Sequence, residues 1–258
     1  MRVALLVVAA AVALSGCMHG GGRDEDAQRA LAQTTERLGA IRSGTLEFGV
    51  LVEPRDEEPF GFELEGPFEL REGAPARLHV EYTRIANGRR ATVTLVSTGE
   101  DAWAEVDGER VDLDPEQRQE LLGTAEELSA GGLEQFQVGD WIASAELERG
   151  DSTDVVRGDL DVVAAVNGLA RLAGGLGRDV PQVEGESAQR LREATESATY
   201  ELETGTDDRL LRRLLLRAVF AAEVPEELRD ALGDVVGATI TFHLGVSRPN
   251  EPVTIESG

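Results

Sequence analysis

From Thr45 onward, apolar residues recur at every second position. Leu46, Phe48, Val50 and Val52 alternate with Thr45, Glu47, Gly49 and Leu51. Phe60, Phe62, Leu64, Phe68 and Leu70 alternate with Gly61, Glu63, Glu65, Pro67 and Glu69, and Leu78, Val80 and Tyr82 alternate with Arg77, His79, Glu81 and Thr83. Successive side chains of a strand point to opposite faces, so this period predicts antiparallel strands with one dry and one wet face. Asn87-Gly88 and Asp107-Gly108 are residue pairs that accept positive φ, and they predict hairpins. The first leads into a strand at residues 91–96, and the second joins residues 102–106 to 109–113. The first half of the chain therefore reads as an antiparallel meander.

Elsewhere the period is helical. Ala27, Leu31, Thr34, Leu38 and Ile41 fall on one stripe, which predicts a helix over residues 27–42 with Asp26 as its cap and Ser43-Gly44 at its end. Asp114-Pro115 opens a second helix, with Leu121, Leu122, Ala125 and Leu128 facing inward and Gly131-Gly132 ending it. Residues 139–147, which include Trp141, and 153–157 read as strands. Residues 159–174 form a helix that is apolar almost all round, through Val162, Val163, Ala165, Val166, Leu169, Ala170, Leu172 and Ala173, so it should be buried on more than one side. A loop at 177–185 and a polar helix at 186–197 precede strands at 199–204, 209–220 and 238–246. A short helix at 225–232 lies between the last two, and residues 253–256 predict a final edge strand. Nine to eleven strands with a common dry face and few helices make an α+β protein with one large antiparallel sheet, and a sheet of that size curls. Helices in its concave side would bury the dry face. Imperfect filling would leave an apolar cavity, and a fully packed core satisfies the same pattern.

Ahead of all this, Arg2 is followed by an apolar run from Val3 to Leu14 and then by Ser15-Gly16-Cys17. A positive start, about a dozen apolar residues and small residues at a cut site make an export signal. The run is shorter than the roughly 20 residues a membrane-spanning helix needs. Cys17 is the single cysteine of the chain, so no disulfide can form within it. Leu14-Ser15-Gly16-Cys17 resembles the lipobox of bacterial lipoproteins. That resemblance implies a diacylglyceryl group on the Cys17 thiol and cleavage before it. Each buried methylene contributes about 0.8 kcal/mol, so two acyl chains hold a protein on a membrane. The expected organisation is a signal peptide at 1–16, a lipidated tether at 17–26 containing three consecutive glycines, and a single domain at 27–258, anchored on the extracytoplasmic face of the cell membrane.

Charge narrows the partners. The formal net charge is −24, from 49 acids against 25 basic residues, all of them arginine. Such a balance repels nucleic acid and anionic lipid surfaces. Catalytic signals are lacking: there is no Gly-x-Ser-x-Gly elbow, His-Glu-x-x-His helix or phosphate loop. Of the three histidines, His19 falls in the tether, while His79 and His243 alternate onto wet faces. The acids at Asp24-Glu25-Asp26 and at Asp112 and Asp114 lack the calcium-loop spacing. The reading is of a non-enzyme with no cofactor and no metal, in which Trp103 and Trp141 serve packing.

Three phrases carry a further resemblance. They are Val156-Arg157-Gly158-Asp159-Leu160-Asp161-Val162, Asp208-Arg209-Leu210-Leu211-Arg212-Arg213-Leu214, and Pro249-Asn250-Glu251-Pro252-Val253-Thr254-Ile255. With the lipobox and the order of elements, they resemble the LppX/LprA/LprF/LprG family of lipid-binding lipoproteins, whose half-barrel fold is shared with the LolA and LolB carriers. The acidic loop at residues 53–58 departs from that pattern. The resemblance implies an interior that takes the acyl chains of a lipid or glycolipid and carries or presents them across the envelope, with an envelope transporter as a further partner. Phe48, Phe62, Leu64, Val80, Leu95, Leu214 and Phe242 on the dry faces, and Val166 and Leu169 on the apolar helix, are the candidate lining. A solid-core interaction, sensor or transporter-accessory module stands beside it as the alternative, and an interior void is the observable that separates them.

Overall fold

The computed structural model describes residues 21–133, 138–175, 182–223 and 236–255. The first half holds six strands: β1 (Ser43–Pro54), β2 (Phe60–Arg71), β3 (Ala74–Ala86), β4 (Arg89–Ser97), β5 (Ala102–Val106) and β6 (Glu109–Val111). The second half holds β7 (Glu146–Glu148), β8 (Thr153–Asp159), β9 (Thr195–Gly205), β10 (Leu211–Glu223) and β11 (Val236–Ser247). All eleven join one antiparallel sheet in the order β6-β5-β4-β3-β2-β1-β11-β10-β9-β8-β7. Each half is a meander of sequence neighbours, and the halves meet where the first strand pairs with the last. Among the described residues the sheet does not close, because β6 and β7 have no strand beyond them. This is the α+β half-barrel architecture with helices against its concave face.

The hairpins form where the sequence places them. Asn87 and Gly88 take φ of 50° and 65°, and Asp107 and Gly108 take 54° and 80°, the left-handed pairs that a tight two-residue turn requires. Among the described residues four helices accompany the sheet: α1 (Gly21–Glu36), α2 (Pro115–Gly131), α3 (Val162–Gly175) and α4 (Gly185–Ala194). The predicted stripe of the first helix is the buried one, with Ala27, Leu31, Thr34, Leu38 and Ile41 all under 9% exposed. α2 starts with a capping box: the Asp114 carboxylate accepts from the Gln117 amide at 2.9 Å, and the Gln117 side-chain oxygen accepts from the Asp114 amide at 3.3 Å. Such a cap contributes about 1 kcal/mol. The Asp161 carboxylate caps α3 by accepting from the amides of Val163 and Ala164 at 3.0 and 3.1 Å. No residue from Val162 to Ala170 is exposed, as the all-round apolar pattern required.

Several boundaries differ from the sequence expectation. α1 opens at Gly21 rather than Ala27, so Asp26 lies inside the helix and instead pairs with Arg29 at 2.7 Å and Arg149 at 2.5 Å. The helix ends at Glu36, and Leu38–Ala40 forms a separate 3₁₀ turn. Residues 139–147 are not one strand: Val138–Trp141 is a 3₁₀ turn, and only Glu146–Glu148 pairs with β8. The turn seats the Trp141 indole, 1% exposed, against Gly168 of α3, where an added Cβ would stand 2.2 Å from the indole nitrogen. On α2, Ala125 is buried but Leu121, Leu122 and Leu128 are only half-covered. Residues 253–255 add no strand. They form a tail along the wet face, with Ile255 buried and its carbonyl accepting from Arg77 at 2.9 Å. The export signal at 1–16, Cys17 and the helix predicted at 225–232 lie outside the described residues.

Candidate functional site

Strand register gathers the large apolar side chains on one face. Phe48 stands between Leu64 and Leu244, and Val50 between Phe62 and Phe242. Their rings touch: Phe48 lies 5.6 Å from Phe62 and 5.5 Å from Phe242, the latter nearly edge-to-face at 84°, and Phe62 lies 6.2 Å from Tyr82. Aromatic contacts of this kind contribute about 0.5–1.5 kcal/mol beyond burial.

Coverage of this face is uneven. At the end where β1 begins, Phe68, Leu70, Leu78, Leu214, Leu244 and Val246 are buried in one cluster with residues of α1 and α2. At the opposite end of β8–β11, α3 and α4 form a second cluster with Phe220, which Ala198, Ala218 and Ile240 adjoin. In the rest of the first meander Phe60, Phe62, Leu64, Tyr82, Val93 and Leu95, and beside them Leu46, Phe48 and Val50, remain half-buried. Under α3 lies a small cavity of about 60 Å³, walled only by apolar side chains that include Leu160, Val166, Leu169, Ala198, Leu216 and Phe242.

The nine sequence candidates thus sort by position. Val166, Leu169 and Phe242 wall the cavity. Phe48 and Phe62 continue from Phe242 as an aromatic path onto the half-covered face, with Leu64 and Leu95 beside them. Val80 and Leu214, 5% and 0% exposed, belong to the packed core away from the cavity wall. Sequence reasoning missed Phe60, Tyr82 and Arg84. Continuing the β3 alternation past Tyr82 would have placed Arg84 on the dry face, and its register partners there are Phe62 and Ala91.

Charges elsewhere are mostly engaged with one another. On the wet face Arg157 bridges Glu148 and Glu201, and Arg213 bridges Glu201 and Glu203. These contacts hold the Arg157 guanidinium above its ordinary range, chiefly through its bonds to Glu201 and Glu148. Burial pushes the Tyr200 phenol up, with the charge of Asp159 adding to it, and its hydroxyl donates to the Ser144 carbonyl at 3.0 Å. His243 lies over Gly49 on the wet face, where its imidazole leaves no room for a Cβ. Among the described residues no three His, Cys, Asp or Glu side chains gather as a metal site, and no helix is long and apolar enough to cross a membrane.

The chain is similar in structure to LprF from Mycobacterium bovis, with a TM-score of 0.51 and 14% identity over 90% of this chain and 97% of that one. This is the LppX/LprF-like half-barrel that the sequence resemblance implied; at that identity the likeness establishes the fold. A LolA superfamily protein, NE2245 from Nitrosomonas europaea, aligns over 88% of this chain and 94% of its own at 11% identity, with a TM-score of 0.23 that is too low to carry an argument. No protein-family model matches the chain, and no curated protein sequence does.

Proposed function

We propose that the chain is a lipid-anchored envelope protein that takes acyl chains of a lipid or glycolipid against its dry concave face and carries or presents them outside the cytoplasm. The observation that carries the reading is the run of half-buried aromatic side chains, Phe62, Phe48 and Tyr82, that continues from the cavity wall at Phe242. Apolar surface left in contact with water costs about 25 cal/mol per Å², and an acyl chain laid on it removes that cost for both partners. The half-barrel fold supports the reading, and so does the lack of a catalytic motif for a non-enzymatic role. In this reading residues 27–258 act as one binding domain and Cys17 as the lipid acceptor.

The size of the cavity favours a second reading. About 60 Å³ is far below the roughly 300 Å³ of even small ligand sites. A core that full supports the reading of an interaction or transporter-accessory module. Mass spectrometry of the chain purified from bacterial membranes separates the two. A denaturing spectrum is expected to show loss of residues 1–16 and a covalent diacylglyceryl mass on Cys17. A native spectrum is expected to show a further mass that leaves into organic solvent. A native mass equal to the denaturing one, also after incubation with phospholipid and glycolipid, would leave the interaction module as the function.

A further inference from the structure

Arg84 is the polar residue on the half-covered part of the dry face that the packing does not explain. It stands two residues beyond Tyr82 and in register between Phe62 and Ala91, and it is exposed. Arg89, at the start of β4, faces the same side in register with Ala86. Among the described residues neither side chain has an ion pair or hydrogen bond. The wet-face arginines of β3 and β4 behave otherwise: Arg77 pairs with Glu69 at 3.0 Å, and Arg90 pairs with Glu63.

Resting on the reading of this face as an acyl-chain site, we infer that Arg84 and Arg89 receive the head of an anionic amphiphile, an acyl or alkyl chain bearing a phosphate or carboxylate. The tail would run across β2 and β1 to Phe242 on β11, three strand spacings or about 14 Å away. A guanidinium presents paired N–H donors that match an oxyacid, and it tolerates a position among aromatic rings better than an ammonium does. The half-buried apolar face beside the two guanidinium groups, set in an acidic surround, argues for the amphiphile over a free anion. The chain carries −24 overall, and the loop beside the site brings Asp56, Glu57 and Glu58, which share a groove with Arg55, Phe60, Ala86 and Asn87. That field repels a small anion, so the head is held only when a tail pays for its approach through apolar contact.

The test uses the full chain in phosphatidylcholine vesicles containing a trace of a diazirine-bearing hexadecyl phosphate or the matching hexadecyl alcohol, with cross-links mapped by mass spectrometry. The phosphate probe is expected to label the dry face of β2 and β3 about fivefold more than the alcohol. Arg84→Gln with Arg89→Gln should reduce it to the alcohol level, while Arg84→Lys, which keeps the charge but not the paired donors, should retain about half of the preference. Both substituted positions are exposed, and an unchanged thermal midpoint confirms the fold of each variant. Equal labelling by the two probes, or a preference that survives the double substitution, overturns the assignment of the head while leaving the acyl-chain reading intact. Labelling of the dry face by neither probe overturns that reading itself.

Discussion

The two parts of the concave face are built from the same residue types and differ in what lies on them. Around Leu214, Tyr200 and Phe242, helices α1 and α3 and the Trp141 turn bring exposure to 3% or less. Around Phe62, Leu64 and Leu95, equally large side chains remain half-buried. The strands and their alternation are the same in both, so the difference comes from the helices, and α3 in particular is seated by one glycine. Gly168 lets the helix close on the Trp141 ring. Hydrophobic patterning therefore sets which face is dry, while helix placement sets which part of it stays half-covered.

Mutations can break or sharpen this contrast. The largest effect is expected for Trp141→Ala, which empties the space that holds α3 down and should cost about 3–5 kcal/mol in urea unfolding. Next, Leu214→Ala in the closed part should cost about 3 kcal/mol and Leu64→Ala in the half-covered part about 1 kcal/mol, because the first leaves a cavity and the second removes a side chain already near water. Equal losses at the two sites would show that both parts are equally covered in solution. Val166→Trp, at the cavity wall, should abolish the extractable mass in native spectra at a stability cost of about 1–2 kcal/mol; uptake unchanged in a folded variant would remove the cavity from the binding path. Converting Asp56, Glu57 and Glu58 to their amides should raise phosphate-probe labelling about twofold at low salt and leave alcohol labelling alone.

The smallest effect lies far from the face. Burial pushes the Asp208 carboxyl up, but the Leu210 amide and the Arg212 guanidinium outweigh it and hold it below its ordinary value of 3.8. Its contribution is thus present above that value and fades as pH falls through the lower folded value. Asp208→Asn should cost about 0.5 kcal/mol at pH 7, since the pair is partly exposed. The difference from the unsubstituted chain should vanish in unfolding curves taken well below pH 3.8.

Much of the sheet was legible in the sequence because each signal was local. Alternation of Leu46 to Val52 and Phe60 to Leu70, the turn pairs Asn87-Gly88 and Asp107-Gly108, and Asp114-Pro115 each act through their own neighbours. The Trp141 turn was not legible, since Gly139-Asp140-Trp141 has the composition of a strand end and becomes a turn only through contact with α3. The tail at residues 253–255 was misread for the same reason: its strand-like residues meet the wet face of β3 through the Arg77 bond. Of the candidate site, the dry-face residues were readable from their period. The division into covered and half-covered parts was not, because it depends on helices placed by distant sequence, and Arg84 lies one step beyond the β3 alternation, which was followed only to Thr83.

The seam between the first and last strands sets an order of events for the newly made chain. Every other pairing joins strands that are consecutive in the chain, but Thr45 faces Ser247, and Asn250 donates its amide to the Ser43 carbonyl at 2.8 Å. Closing a loop of about 200 residues comes late and slowly compared with forming hairpins. Each meander can therefore assemble as soon as its own strands exist, yet the half-barrel stays in two pieces until the C-terminal strand arrives. The completed sheet is therefore the last part of the fold to form, and β1 keeps one unpaired edge until β11 reaches it.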